Sequence, residues 1–422
     1  MAIAQLADDY RDRLFRQYLP FWDKGGIDRQ FGGFLCELND DGSVAQDEKF
    51  IWYQGRGLWV YSFLYQHFGR QPQWLEVARA AREFLVRHMY AGAGRWREKV
   101  RRDGSVMVAE GRNVYGALFA ALGLVEYYRV TGSAEDLELA KRSLWSAARA
   151  YDAADYTDAD TAGQSRAAVP AQGPRIQGHS MVFLTVLSRL LERRADADLE
   201  TLRRAHLAAV RDKFWNPDYG IANEFLRHDY GRDPQCAAHM FAGHTLETLW
   251  MVMWEALRAN DPALFDLAKR RVRRVLEMCW DPIFDGFADE DYFVFGTPRH
   301  PRGPTYDVKT MWAQCEAMIA CMMVIEQTAE PWAVEWYQRV RAFTLKTMPV
   351  AGHGVWRQAV DRQGHDVKRG GISTKRKDNY HQVRYLMLNL LSLERMLATQ
   401  RDAAGRCSDA LGGSRPRDVC GT

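Results

Sequence analysis

Apolar positions recur at helical spacing in twelve stretches of the chain, near residues 3–22, 54–68, 74–90, 112–131, 134–152, 174–193, 197–213, 241–258, 262–279, 308–327, 331–347 and 379–399. Side chains three and four apart share one face of a helix, so each stretch predicts a helix with an apolar side to bury. A second element alternates with these helices. A glycine and an apolar or aromatic residue open a short strand, an Asp/Gly turn follows, and a return strand closes it. It is read at Gly33-Phe-Leu-Cys-Glu with the turn Asp40-Asp-Gly42, and at Gly94-Arg-Trp-Arg-Glu with Asp103-Gly104. It returns at Gly220-Ile-Ala-Asn-Glu, at Gly286-Phe-Ala-Asp-Glu and at Gly354-Val-Trp-Arg-Gln, the last with a turn at Arg362-Gln-Gly364.

Successive starts lie 61, 126, 66 and 68 residues apart, and the longest gap holds two units, one of them degenerate near 150–170. Six units of two helices each are implied. Internal repetition of this kind builds stacked or closed helical hairpins, and six hairpins that close make an all-α (α/α)6 barrel with hairpin-like connections at one mouth. Residues 1–399 are read as one such domain, with the even-numbered helices as its inner ring. The Ala/Asp/Gly-rich stretch Asp152–Pro170 falls where a repeat belongs and reads as a loop rather than an interdomain linker. The segment from Gln400 to Thr422 lacks periodicity and is expected to be a disordered tail.

Composition narrows the function. The 57 basic and 54 acidic residues are interspersed and leave a net charge of +3, so neither a nucleic-acid nor a membrane footprint appears. Seven cysteines without a C-x-x-C argue against a disulfide framework or a structural zinc site. An N-terminus that turns acidic within ten residues and the lack of any run of ~18 apolar residues point to a cytoplasmic protein.

Polar residues gather at the starts of the even-numbered helices. These are Arg56 on helix two, Asn113 and Tyr115 on helix four, His179 on helix six, and His244 with Glu247 on helix eight. Lys309, Trp312 and Glu316 follow on helix ten, and His381 and Arg384 on helix twelve. Singly each has a structural reading; His244 and Glu247, three apart, would make an ordinary ion pair. Together they are costly to bury near one axis unless they pair with each other or with a polar ligand. The set suits proton transfer at a carbon next to a carbonyl, which needs a base, an acid on the opposite face and donors at the developing enolate. No P-loop, dinucleotide fingerprint, serine elbow or H-E-x-x-H helix competes, and no cofactor or metal is expected.

The stretches Phe50-Ile-Trp-Tyr-Gln-Gly-Arg-Gly-Leu-Trp59, Gly243-His-Thr-Leu-Glu247, Lys309-Thr-Met-Trp-Ala-Gln-Cys-Glu-Ala317 and Tyr380-His-Gln-Val-Arg384 resemble, in this order, the N-acylglucosamine 2-epimerase superfamily. That superfamily includes cellobiose 2-epimerases and mannose isomerases, and the similarity runs from about residue 5 to 398. The resemblance implies an (α/α)6 barrel and a cofactor-free sugar 2-epimerase or aldose–ketose isomerase. In it His244 and His381 exchange the C2 proton of an open-chain sugar through a cis-enediol(ate). By the same resemblance Arg56 sits at O1/O2, Glu247 and Glu316 bind hydroxyls or orient the histidines, and Trp312 stacks on the sugar. His179 would assist ring opening, beside the funnel residue Tyr115; Asn113 and Lys309 complete the expected substrate contacts. The partner is a mono- or disaccharide, and the protein a monomer or homodimer. Two other readings are an inverting glycoside hydrolase using Glu247 and Glu316 and a non-catalytic toroid that binds carbohydrate or protein.

Overall fold

The computed structural model describes residues 2–108, 113–157, 173–234, 236–288, 291–292, 308–367 and 375–411. Among these, twelve helices match the predicted stretches. They are α1 (Ile3–Asp12), α2 (Ile51–His67), α3 (Pro72–Phe84), α4 (Val114–Thr131), α5 (Ala134–Asp152) and α6 (Gln177–Leu191). The second half holds α7 (Ala197–Ala208), α8 (Ala242–Ala259), α9 (Pro262–Cys279), α10 (Met311–Thr328), α11 (Pro331–Thr347) and α12 (His381–Leu411). π-helical turns prolong α1, α3 and α7, at Arg13–Tyr18, Leu85–Met89 and Ala209–Lys213.

Each even-numbered helix packs on the next: α2 on α4, α4 on α6, α6 on α8, α8 on α10, α10 on α12, and α12 back on α2. The inner ring therefore closes. The odd helices lie outside, each against an inner partner, and α1 packs on α12 so that the two ends of the chain complete one hairpin. Burial follows this layering. Outer helix α9 buries one stripe, Leu264, Phe265, Ala268, Val272, Val275, Leu276 and Cys279, as a helix covering a core should. Inner α4 is buried nearly all round, from Val114 to Tyr127. Where α2 and α4 meet, a methyl on Gly55 would fall 2.2 Å from the Phe119 carbonyl oxygen, so this close approach requires glycine.

One mouth of the ring carries the connections. The strand ahead of an inner helix pairs antiparallel with one from the connection that follows the next outer helix: Lys49–Phe50 with Lys99–Val100, Arg175–Ile176 with Phe225–Leu226, and Lys309–Thr310 with Ala359–Val360. The repeat glycines Gly33, Gly94, Gly220, Gly286 and Gly354 all have φ between 55° and 80°, as does Gly173, which marks the sixth unit. The Gly173 amide donates to the Tyr156 carbonyl at 2.8 Å, and residues 158–172 lie outside the described residues.

Helix α12 runs to Leu411, past the expected domain end at residue 399. Residues 412–422 of the expected tail lie outside the described residues.

Candidate active site

At the N-terminal ends of the inner helices lies a cavity of about 180 Å³. Arg56, Tyr115, His244, Glu247, Trp312 and His381 line it, which brings together six of the ten site residues expected from sequence. Glu316 lies directly beneath, buried, and supports it. His244 and His381 flank Trp312, whose ring centroid is 5.1 Å from one imidazole and 5.6 Å from the other. A methyl on Gly243 would fall 2.3 Å from the Trp312 ring, so the bare first turn of α8 seats the indole between the histidines.

Each histidine is held through Nδ1. In His381 this nitrogen is 2.8 Å from Glu316 Oε1, and in His244 it is 3.0 Å from Oε1 of Glu224. The remaining nitrogen, Nε2, is the one each ring can offer to a ligand. Glu316 is densely bonded: it also accepts from Arg384 Nη2 at 2.7 Å and from Trp250 Nε1 at 2.7 Å. Burial opposes its ionisation, but the charge of Arg384 and the bond to His381 outweigh that and hold the carboxyl below its ordinary range.

The pairing expected between His244 and Glu247 is replaced by another. His244 turns to Glu224, and Glu247 accepts from Arg384 Nη2 at 2.5 Å. Arg384 is itself covered by Tyr380, which accepts from Nη1 at 2.9 Å and lies 4.2 Å from the guanidinium carbon. Glu247, Glu316 and His381 are the one group among the described residues with a geometry that could hold a metal. Arg384 Nη2 sits within 2.5, 2.7 and 3.3 Å of their ligand atoms, so this chain's own cation neutralises the group. Their ligand atoms lie within 4.8 Å of one another. That falls short of the ~6.5–9.5 Å between the carboxyl groups of inverting glycosidases, so Glu247 and Glu316 do not make that pair.

Arg56 enters the cavity between two rings, 4.2 Å from the Phe119 centroid and 5.1 Å from that of Tyr380. Among the described residues no carboxylate is ion-paired with it; Asp378, a further cavity residue, feels its charge. Asp378 caps α12 by accepting from the amides of Tyr380 and His381 at 2.9 and 2.5 Å.

The structure places three of the expected residues elsewhere. Lys309 points away from the axis, its Nζ 3.1 Å from Asp281 and bonded to the carbonyls of Asp285 and Arg362. Lys49 does the same four units away in sequence order, 2.8 Å from Asp28. Both lysines precede an inner helix on a strand that faces the outer layer, which is the physical reason Lys309 misses the cavity. Asn113 caps α4, accepting from the Gly116 amide at 2.6 Å. His179 is buried beneath the cavity wall, with the Tyr115 ring 4.2 Å above it and Tyr151 5.4 Å to the side.

Sequence reasoning passed over Glu224, Asp378, Gln358 and Arg376. Glu224 is the last residue of the repeat motif Gly220-Ile-Ala-Asn-Glu, legible as a hairpin but not as the support of a histidine twenty residues on. Asp378 carried a signal, an acidic residue just ahead of a helix.

The fold and site define a class: an (α/α)6 barrel whose inner helix ends present two carboxylate-held histidines to one polar cavity. The chain belongs to the N-acylglucosamine 2-epimerase (GlcNAc 2-epimerase) family, whose model matches residues 32–384. It is 26% identical over 365 residues to the N-acylglucosamine 2-epimerase of Mus musculus, with 82% of each chain covered. The solved cellobiose 2-epimerase of Bacillus thermoamylovorans B4167 superposes with a TM-score of 0.76 at 18% identity, over 93% of this chain and 100% of that one. A D-mannose isomerase superposes with a TM-score of 0.75 at 15% identity, over 93% and 97%. Among the described residues no helix is long and apolar enough to cross a membrane.

Proposed function

We propose that this protein is a cofactor-independent sugar 2-epimerase or aldose–ketose isomerase acting on an open-chain aldose. The observation that carries this is the arrangement of His244 and His381 on either side of Trp312, each with Nδ1 on a buried carboxylate. The sugar chain lies along Trp312. One histidine Nε2 takes the C2 proton, the C–H electron pair becomes the C1=C2 bond, and the negative charge passes to O1. Arg56, held between Phe119 and Tyr380, stabilises that enediolate. Return of a proton to C2 from the other histidine inverts the centre as C1=O reforms; return to C1, with the O2 hydroxyl proton passing to O1 as C2=O forms, gives the ketose. The family and its named relatives support this chemistry over a purely binding role. The reading extends to a mono- or disaccharide substrate and a monomeric or homodimeric cytoplasmic protein.

The test is incubation with mannose, glucose, N-acetylmannosamine, cellobiose and sulfoquinovose in D2O, followed by NMR. Deuterium at C2 of substrate or product is expected for at least one sugar. Absence of exchange with all five, together with absence of product, would sink the proposal.

A further inference from the structure

The two histidines are held by carboxylates in different surroundings. Glu316 is shared among His381, Arg384 and Trp250. Glu224 is fully buried as well, yet among the described residues no arginine or lysine is paired with it. Its Oε1 receives His244 Nδ1 and, at 3.4 Å, the amide of Gly178 at the start of α6. A buried carboxylate without a cation is expensive unless its partner can carry the charge. His244 is that partner.

Resting on the epimerase or isomerase reading above, we infer that Glu224 is a positioning residue. It keeps neutral His244 as the Nδ1–H tautomer, with Nε2 unprotonated to act as the base, and balances the imidazolium once the C2 proton has arrived. The proton moves from C2 to Nε2 while Nδ1–H stays on Glu224, so the carboxylate changes its interaction but not its protonation. The other groups around the pair do not take over this role. His239, on the same connection, is kept neutral by burial, with the charge of His244 adding to the effect. Glu247, on α8 itself, is committed to Arg384. From α4 the Tyr115 hydroxyl reaches the bare face of Gly178, where an added methyl would meet it at 1.9 Å and His244 Cε1 at 3.1 Å. His179 of α6 lies behind that ring, and α10 contributes the uncharged Trp312.

The His244 side is the half of the site whose proton occupancy is set by a carboxylate that no arginine or lysine shares among the described residues, whereas the His381 side is set by a carboxylate already neutralised by Arg384. Losing the carboxylate should therefore disturb proton transfer far more than sugar binding.

The experiment has two arms. In the wild-type protein, 15N NMR of the histidine rings, with His244 assigned by its loss in His244→Asn, should show Nδ1 protonated and Nε2 bare at neutral pH; an Nε2–H tautomer would overturn the inference. In Glu224→Gln, on the sugar that the wild type deuterates, kcat should fall about 10- to 100-fold with KM within twofold, and the acid limb of the pH–rate profile should move to lower pH. Glu224→Asp should recover part of the loss. A Gln variant with wild-type kcat and pH profile would overturn the role of Glu224 while leaving the epimerase or isomerase reading intact. If the wild type itself exchanges no sugar, that reading is what fails, and the tautomer arm still reports on Glu224.

Discussion

Arg384 and Glu316 are joined across 2.7 Å at the floor of the cavity, and the same guanidinium nitrogen reaches Glu247 at 2.5 Å. One cation from α12 thus ties α8 and α10 together under the cavity. Arg384→Met would leave two buried carboxylates uncompensated, and breaking a buried pair of this kind costs about 3–5 kcal/mol. A urea melt should show a loss of that order, with activity lost in the fraction that still folds. An unchanged midpoint would mean the carboxylates take up protons instead.

His381 stands at the start of α12, where a polar replacement has little fold to disturb. His381→Asn should keep the melting temperature within a few degrees while C2 deuterium exchange drops by about 10²–10⁴-fold. Exchange at the wild-type rate would remove His381 from the chemistry.

Gly243 is the seat of Trp312. Alanine there puts a methyl 2.3 Å from the indole, so the ring has to move from its place between the histidines. A displacement near 1 Å can cost about 100-fold in rate. Gly243→Ala should lower kcat/KM by about that factor and shift the near-ultraviolet circular dichroism of the tryptophans; a silent variant would show that the ring tolerates a second position.

Lys309 lies outside the cavity, held by Asp281 and two backbone carbonyls. Lys309→Met should destabilise the fold by about 3 kcal/mol, since Arg362 still neutralises Asp281 at 2.8 Å, and should leave KM for the sugar within twofold. A large rise in KM with unchanged stability would return Lys309 to substrate binding.

His206 and His239 make stability depend on pH. Burial above all lowers both to about 3, aided by the charge of Arg175 for one and of His244 for the other, from an ordinary value of 6.5. The unfolded chain therefore binds these protons first. Stability is full above pH ~6.5 and drains as pH falls toward 3, by about 2 kcal/mol for each histidine at pH 5. His206→Phe keeps the aromatic stack on Phe183, whose centroid is 4.1 Å away. Urea midpoints at pH 7 and pH 5 should differ less in this variant than in the wild type.

The periodicity of the chain carried most of the fold, because inner and outer helices both need apolar positions at helical spacing and the connections repeat their glycines. The sixth unit was hidden: Gly173 keeps the left-handed turn, but residues 158–172 interrupt the spacing that would reveal it. At the site, residues on the first two turns of inner helices were legible from their position alone, as with Arg56, Tyr115, His244 and His381. Those on connections were not. Lys309 and Glu224 both stand on polar segments near the mouth, and only the direction of the chain decides that one faces the outer layer and the other the imidazole of His244. The Glu316–Arg384 link joins residues 68 apart on neighbouring helices, a pairing that no local pattern announces.

The hairpin formed by α1 and α12 has a consequence for how the ring closes. Tyr10 receives the Asn389 side chain at 3.0 Å, 379 residues along the chain, and Arg11 reaches Glu394 at 2.8 Å. Contacts of such separation carry a large loop-closure cost, so closing the barrel is its slow step. His381 and Arg384 stand on the same closing helix, so final packing and the complete pair of histidines form together, and a barrel without α12 would have neither.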